Sequence, residues 1–394
     1  MSAKTTNAVH GLFFIFIYGY MTNAQRRENR YIRRRQQRED KRIAYNKQYD
    51  RYDNLLDPNA LLKAFDKCKR GVSWKYSVQY YQMHLHYNIN RTLEMLNNNQ
   101  LPTKGFKYFQ INERGKIRDI SCPDIFERVF QKVLCDRVLI PILSRPLIYD
   151  NGASMKNKGT SFARKRIVKH LTEYRRKYGT EGYALIIDFS KYFNRINHDK
   201  LFQIIKRYIK DRRVLNICKQ AVDEFGPVGL GLGSQISQIL AVFFPNEMDH
   251  LIKEKLRVKY YGRYMDDSYL LSPDKDFLKD CLRQITALCN EYGIVINTKK
   301  TRIIKIKYGV PFLQCKYIFG EKGKVLKIGG KESAKRMKRK LRRFSVKLSE
   351  RKMTAKEIRD LYQSWKGFMR QFDSRELLNN MDRYYNNLFM YTGE

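Results

Sequence analysis

The sequence predicts an α+β fold, and three observations predict it. Helical and strand-like periodicities are mixed along the 394 residues without the strand–helix–strand alternation of a doubly wound sheet. Two segments, at 104–124 and 258–272, read as β-hairpins. Hydrophobic residues make up 43% of the chain and aromatics 13%, enough to bury a real core and to exclude global disorder.

The elements follow in order. Residues 25–52 (QRRENRYIRRRQQREDKRIAYNKQYDRY) are helix-compatible, basic and interleaved with tyrosine. They suit either a solvated helix with internal ion pairs or a phosphate-gripping arm. From 57 to 99 amphipathic helices dominate, with Asp57-Pro58 as a helix start. In KGFKYFQINERGKIRDISCPD two strand-like runs flank a turn at Asn112, Glu113, Arg114 and Gly115. Helical periodicity returns at 124–144, and a Gly/Ser/Lys-rich loop (151–166) leads into a basic helix. Residues 182–189 are a buried-strand signal ending on an acid, 199–224 a helix, and 229–238 a Gly-rich loop entering an apolar helix at 239–256. After the hairpin at 258–272 come a helix at 275–292, strands at 294–319, and helices opening with the basic run 331–352.

Lys and Arg number 79 against 39 Asp and Glu, a formal charge of +40. Such a surplus repels itself unless a polyanion neutralises it, and nucleic acid is the usual one. The same surface is compatible with an accessory protein or a second copy of the chain. Seven cysteines lie scattered with no C-x-x-C, which suggests reduced core thiols and a cytoplasmic setting rather than zinc. The apolar run at 11–20 (GLFFIFIYGY) is too short to span a bilayer, and it lacks a basic leader and a small-residue cleavage site. With Met21 just after it, it reads as a translation-start artefact or a small hydrophobic docking piece; no membrane association is expected.

The chemistry concentrates in two segments. In YYGRYMDDSYLLS (260–272) adjacent aspartates sit among aromatic and aliphatic strand formers. That conflict between local preference and context is typical of functional sites, although an ordinary Asp-containing turn would look similar. YALIIDFSKYF places Asp188 at the end of an uninterrupted apolar strand, where a lone carboxylate is costly unless paired or metal-bound. A strand-end Asp188 and a hairpin-tip pair, Asp266 and Asp267, can converge on two hard divalent ions. Magnesium suits them, since it takes few protein carboxylates and completes its shell with water and phosphates. Two such ions about 4 Å apart would activate a 3′-hydroxyl and stabilise the leaving pyrophosphate.

The order and spacing of these segments over residues 54–389 resemble reverse transcriptases. The resemblance implies a right-hand polymerase: an N-terminal extension at 1–53, fingers at 54–180, a palm with an antiparallel sheet at 181–320, and a helical thumb at 330–394. It implies that Asp188 and Asp266 bind magnesium, with manganese able to substitute, and that Asp267 assists. Phe193 falls at the family's aromatic steric gate, which selects dNTPs. KIRDISCPDIFERVFQ resembles the fingers motif whose arginine grips the triphosphate, here Arg118, with Lys107 as a second candidate. INTKKT resembles the later palm motif in which a lysine lies near the leaving phosphate, which implies Lys300 as an acid. VPFLQCKYIF resembles the primer grip around Phe312, Leu313, Gln314 and Cys315. The implied partners are a structured RNA template, the RNA–DNA duplex and dNTPs.

One motif departs from most of the family. Where many members carry Pro-Gln-Gly followed by Ser-Pro, this chain has GLGSQISQILA: Leu232 in place of Gln, then Gly233, then Ser237-Gln238. The pattern resembles diversity-generating retroelements and related phage or defence-associated bacterial enzymes, which implies reduced fidelity. The expectation is thus a bacterial or phage retroelement polymerase. One alternative is defence by protein-primed or template-independent DNA synthesis; another is an RNA-binding scaffold without catalysis.

Overall fold

The computed structural model describes residues 22–389 apart from 114. The apolar run at 11–20 and the turn residue Arg114 lie outside those residues. Helix α1 (Asn23–Tyr49) opens on a capping box, Thr22 with Gln25. Helix α2 (Pro58–Cys68) starts where the Asp57 carboxylate accepts from the Asn59 N–H at 2.9 Å. Helices α3 (Tyr76–Met83) and α4 (Leu85–Asn97) follow. Strands β1 (Phe106–Glu113) and β2 (Lys116–Pro123) form the expected hairpin. Helix α5 (Ile125–Leu134) continues through a π turn (Cys135–Leu139) into α6 (Ile140–Leu143).

After helix α7 (Thr160–Tyr178) the chain enters the central sheet with β3 (Tyr183–Ile187). Short helices α8 (Tyr192–Arg195), α9 (His198–Ile205) and α10 (Arg212–Asp223) precede α11 (Gln235–Phe243) and α12 (Asn246–His250), the last extended by a π turn (Leu251–Lys255). The hairpin β4 (Tyr260–Tyr264) and β5 (Asp267–Ser272), helix α13 (Lys275–Glu291) and β6 (Arg302–Lys305) complete an antiparallel sheet ordered β4-β5-β3-β6. A second sheet holds β7 (Val310–Phe312), β8 (Cys315–Phe319) and β9 (Val325–Gly329). Helices α14 (Lys331–Ser349), α15 (Ala355–Met369) and α16 (Arg375–Phe389) end the described chain.

Two expected helices divide differently from their periodicity. The stretch 199–224 breaks between α9 and α10 because the Asp50 carboxylate accepts from the Lys210 and Asp211 N–H groups, while Asp211 caps α10. The apolar helix begins earlier than 239, at Gln235, because Ser234 caps it. It then breaks at Phe244-Pro245, where proline cannot continue the ladder. Strand β9 was not anticipated.

Three apolar clusters organise the packing. The largest joins α2–α6 to β3, α9–α11 and α13. The second lies between α7, the other face of the sheet and β7–β9. The third belongs to α14–α16 alone, so this C-terminal bundle has its own small core. All seven cysteines are free and five are buried. Among the described residues no helix is long and apolar enough to cross a membrane.

Candidate active site

Strand β3 is apolar because it is covered on both faces, and it delivers Asp188 at its end with the side chain almost fully buried. That carboxylate is held on both oxygens. Lys300 Nζ lies 2.8 Å from Oδ1 and 2.7 Å from Oδ2, and Asn297 Nδ2 donates to Oδ2 at 3.0 Å. The Asn297 N–H donates to the Asp188 carbonyl at 2.8 Å. The segment read as INTKKT therefore folds back over the strand end.

The other two acids sit on the β4–β5 turn. Tyr264 pairs with Asp267, leaving Met265 and Asp266 as a two-residue turn. Met265 has φ +55°, a left-handed conformation that costs a non-glycine residue about 1 kcal/mol or more. What holds it is the Arg263 guanidinium, whose NH1 donates to the Met265 carbonyl at 3.1 Å. Arg263 is fully buried. It grips Asp249 through Nε at 2.8 Å and NH2 at 2.6 Å, donates to the Val242 carbonyl at 3.0 Å, and Tyr261 OH completes Asp249 at 2.5 Å. The turn's shape is thus fixed by an ion pair underneath it.

Electrostatically the three carboxylates act on one another. Burial raises the Asp266 pKa and Asp188 adds to it, while Lys300 and Arg118 oppose the shift. Burial, then Asp266 and Asp188, push Asp267 up to about 6. Crowded, partly desolvated carboxylates call for positive charge. Among the described residues no three His, Cys, Asp or Glu side chains enclose a metal by themselves. The donor set fits an ion that takes one or two carboxylates and fills its shell with water and phosphate, as magnesium does.

Over these acids stands the β1–β2 hairpin. Its register pairs Ile111 with Arg118, Glu113 with Lys116 and Lys107 with Cys122, so Lys107, Lys116 and Arg118 share one face. Arg118 Nε lies 2.6 Å from Glu113 Oε2, with both side chains about half exposed. The Arg118 charge still reaches Asp266, and that of Lys116 reaches Asp267.

The Gly-rich loop at 229–234 closes the frame. Its Leu232 carbonyl accepts from the Ser121 N–H of β2 at 2.8 Å, and its Leu230 N–H donates to the Phe193 carbonyl at 2.7 Å. Gly233, with φ +121°, has no room for a side chain: a Cβ there would stand 2.7 Å from the Ser121 carbonyl oxygen. Phe193 is half-buried, edge-on to Tyr192 with 5.8 Å between ring centroids. Gln238 is exposed on α11, while Ser237 is buried. Ser234 OH donates to Gln131 Oε1 at 3.0 Å; Gln131 Nε2 in turn donates to the buried Glu127 at 2.8 Å, as Thr103 OH does at 3.1 Å.

Glu127 yields a pH prediction. Burial pushes its pKa from 4.5 up to about 7 against the hydrogen bonds from Gln131 and Thr103. Its contribution is therefore fully present below about pH 4.5 and is lost as pH rises through 7. Glu127→Gln keeps both partners, so its thermal midpoint should exceed the parent's above pH 7 and converge with it below pH 4.5. Equal midpoints at pH 8 would contradict this.

Comparison with known proteins decides the family. A sequence model of the reverse transcriptase (RNA-dependent DNA polymerase) family matches residues 102–318, more than half of the chain. The chain belongs to the reverse transcriptase family. With membership comes the right-hand polymerase fold, in keeping with the mixed helices and antiparallel sheets seen here. A COX1/OXI3 intron 1 protein of Saccharomyces cerevisiae is 23% identical over 181 residues, 42% of this chain and 21% of that protein. Among solved structures, telomerase from Candida albicans in complex with a TWJ fragment of telomeric RNA has a TM-score of 0.43 and 16% identity, covering 54% of this chain and 43% of that one. Apo telomerase from Candida tropicalis, truncated from the C-terminal domain, gives 0.42 and 15%, covering 54% and 52%. The chain thus spans about a fifth of the curated relative and about half of the telomerase chains.

In this member of the family a cleft of about 890 Å³ runs from Asp188, Asp267 and Lys300 past the 312–315 turn to Lys331 and Arg336 at the start of α14. Phe312 is buried edge-on to Tyr269, with centroids 4.9 Å apart. Leu313 and Gln314 form a two-residue turn with φ +48° and +63°, and Arg164 donates to the Leu313 carbonyl at 3.1 Å. Cys315 is buried. Lys107, Arg118, Phe193, Leu232, Gly233 and Gln238 do not line this cleft; of these only the Arg118 charge reaches an acid, Asp266. Sequence reasoning passed over Arg263, Asp249, Asn297 and Lys116. Only Asn297 and Lys116 carried a signal, as polar neighbours of Lys300 and Arg118.

Proposed function

We propose that this chain is an RNA-directed DNA polymerase that adds dNTPs to a primer on a structured RNA template. The observation that carries the reading is the meeting of Asp188, Asp266 and Asp267 at one end of a sheet, beneath a basic hairpin and beside a basic cleft. Two magnesium ions, or manganese in their place, held by Asp188 and Asp266 with Asp267 beside them, would supply Lewis-acid activation and charge neutralisation.

The chain's own residues do the rest. The half-exposed Arg118–Glu113 pair is worth at most about 1 kcal/mol, so Arg118 is free to exchange Glu113 for a triphosphate, with Lys116 and Lys107 on the same face. Lys300 neutralises Asp188 and would act as the acid that gives a proton to the departing phosphate. Phe193, fixed through its carbonyl to the Gly-rich loop, serves as the gate against a ribose 2′-hydroxyl. The turn 312–315 positions the primer end, and the fingers, palm and thumb take the boundaries 54–180, 181–320 and 330–394. Extension of a DNA primer on RNA should stop on chelation of divalent ions and resume with magnesium. No extension on any primed template would overturn the reading.

Leu232 supports a finer reading, a bacterial or phage retroelement enzyme of reduced fidelity. It offers no side-chain hydrogen bond beside the incoming nucleotide, where most of the family offers Gln. Leu232→Gln is expected to lower the error rate in sequenced extension products. A parent error spectrum no worse than that of the variant would sink the idea.

A further inference from the structure

From Lys67 to Leu93 the sequence contains no acidic residue, and within this stretch five large apolar side chains face solvent. Trp74 is 73% exposed, Tyr76 78%, Tyr80 47%, Met83 80% and Tyr87 64%. Scattered single exposures are ordinary, but five within a short segment mark an interaction surface. Three of the rings follow helical spacing along α3 into its C-cap. Tyr76 and Tyr80 have centroids 6.1 Å apart, and Tyr80 and His84 4.6 Å. Lys75 Nζ sits 5.6 Å from the centre of the Trp74 ring, and Arg70 precedes it.

The inner side of the same helix is fully spent: Tyr81 stacks on Phe65 at 4.9 Å and packs near Phe126. The outer rings therefore contribute nothing to the core. None of the residues in this ladder lines the catalytic cleft.

We propose that Trp74, Tyr76, Tyr80 and His84 form a stacking platform for a single-stranded polynucleotide, separate from the cleft beside the acids. Charge complementarity selects this occupant: a flexible strand brings phosphates to Arg70 and Lys75 and unpaired bases to the rings. A base has a π-face whatever its identity, so the platform grips strands without reading their sequence. This inference does not rest on catalysis.

The chain has two tryptophans, Trp74 and Trp365, so Trp365→Phe leaves Trp74 as the reporter. Titration of that variant with oligo(rA) or oligo(dA) should quench its fluorescence, and the quench should weaken with salt. A response to RNA alone or to DNA alone supports the platform and names its strand. A saturating blunt RNA–DNA duplex should leave the quench in place, and so should adding Asp266→Ala, which separates this proposal from the polymerase reading. In the otherwise unaltered chain, with blunt duplex saturating the cleft, anisotropy of labelled oligo(rA) gives a second readout. There Tyr76→Ala with Tyr80→Ala should weaken binding by roughly tenfold or more, while Tyr76→Phe with Tyr80→Phe should keep it, since stacking needs the ring and not the hydroxyl. Wild-type affinity in the double alanine variant, or no quench by either oligonucleotide at low salt, overturns the proposal and leaves the patch to a protein partner.

Discussion

Asp266→Ala is expected to lower nucleotide incorporation on a primed RNA by roughly a hundredfold to a thousandfold, the scale of losing one preorganised electrostatic partner of a transition state. The same position should respond in the opposite direction in stability. Burial and the neighbouring Asp188 raise the Asp266 pKa, so its charge opposes folding once the pH exceeds the ordinary carboxylate range. Asp266→Asn should therefore raise the thermal midpoint at neutral pH while removing activity. Asp267→Asn should follow the same trend in stability with a smaller loss of rate, since it assists rather than anchors. Matching losses of activity and stability in Asp266→Asn would argue for a merely structural acid.

The second large effect lies beneath the turn. Asp249→Ala leaves Arg263 as an uncompensated buried charge, which should cost about 3–5 kcal/mol, read as a fall in the denaturant midpoint at unchanged slope. Replacing both partners, Asp249→Leu with Arg263→Met, should recover much of that stability, because apolar isosteres of a buried ion pair are often neutral. Activity should not recover, since the bond from Arg263 NH1 to the Met265 carbonyl is gone and the turn carrying Asp266 loses its support. Recovery of both together would mean that Arg263 stabilises the fold without positioning the turn.

The acids were legible because each broke a local rule: Asp188 ends a strand that is otherwise apolar, and Asp266-Asp267 interrupt strand formers. The α+β class and both main hairpins were legible from alternation and turn residues. Arg263 was not, because a lone arginine reads as a surface residue until Asp249, on a different element, is seen to bury with it. The break between α9 and α10 was hidden for the same reason, since its cause, Asp50, lies on a distant segment. Glu127 and Gln131 carry no signal of their own in the helical run 124–144; only the approach of the Ser234 loop makes them a buried network. What the sequence hides here is long-range pairing of polar groups, and that pairing is what positions the site.

The most direct test is extension of a labelled DNA primer on an RNA of known sequence, with the product sequenced and Asp188→Asn run beside the parent. The expected result is DNA complementary to the template from the parent and no detectable product from the variant. Product that ignores the template, or undiminished extension by Asp188→Asn, would contradict an RNA-templated polymerase built on this acid cluster.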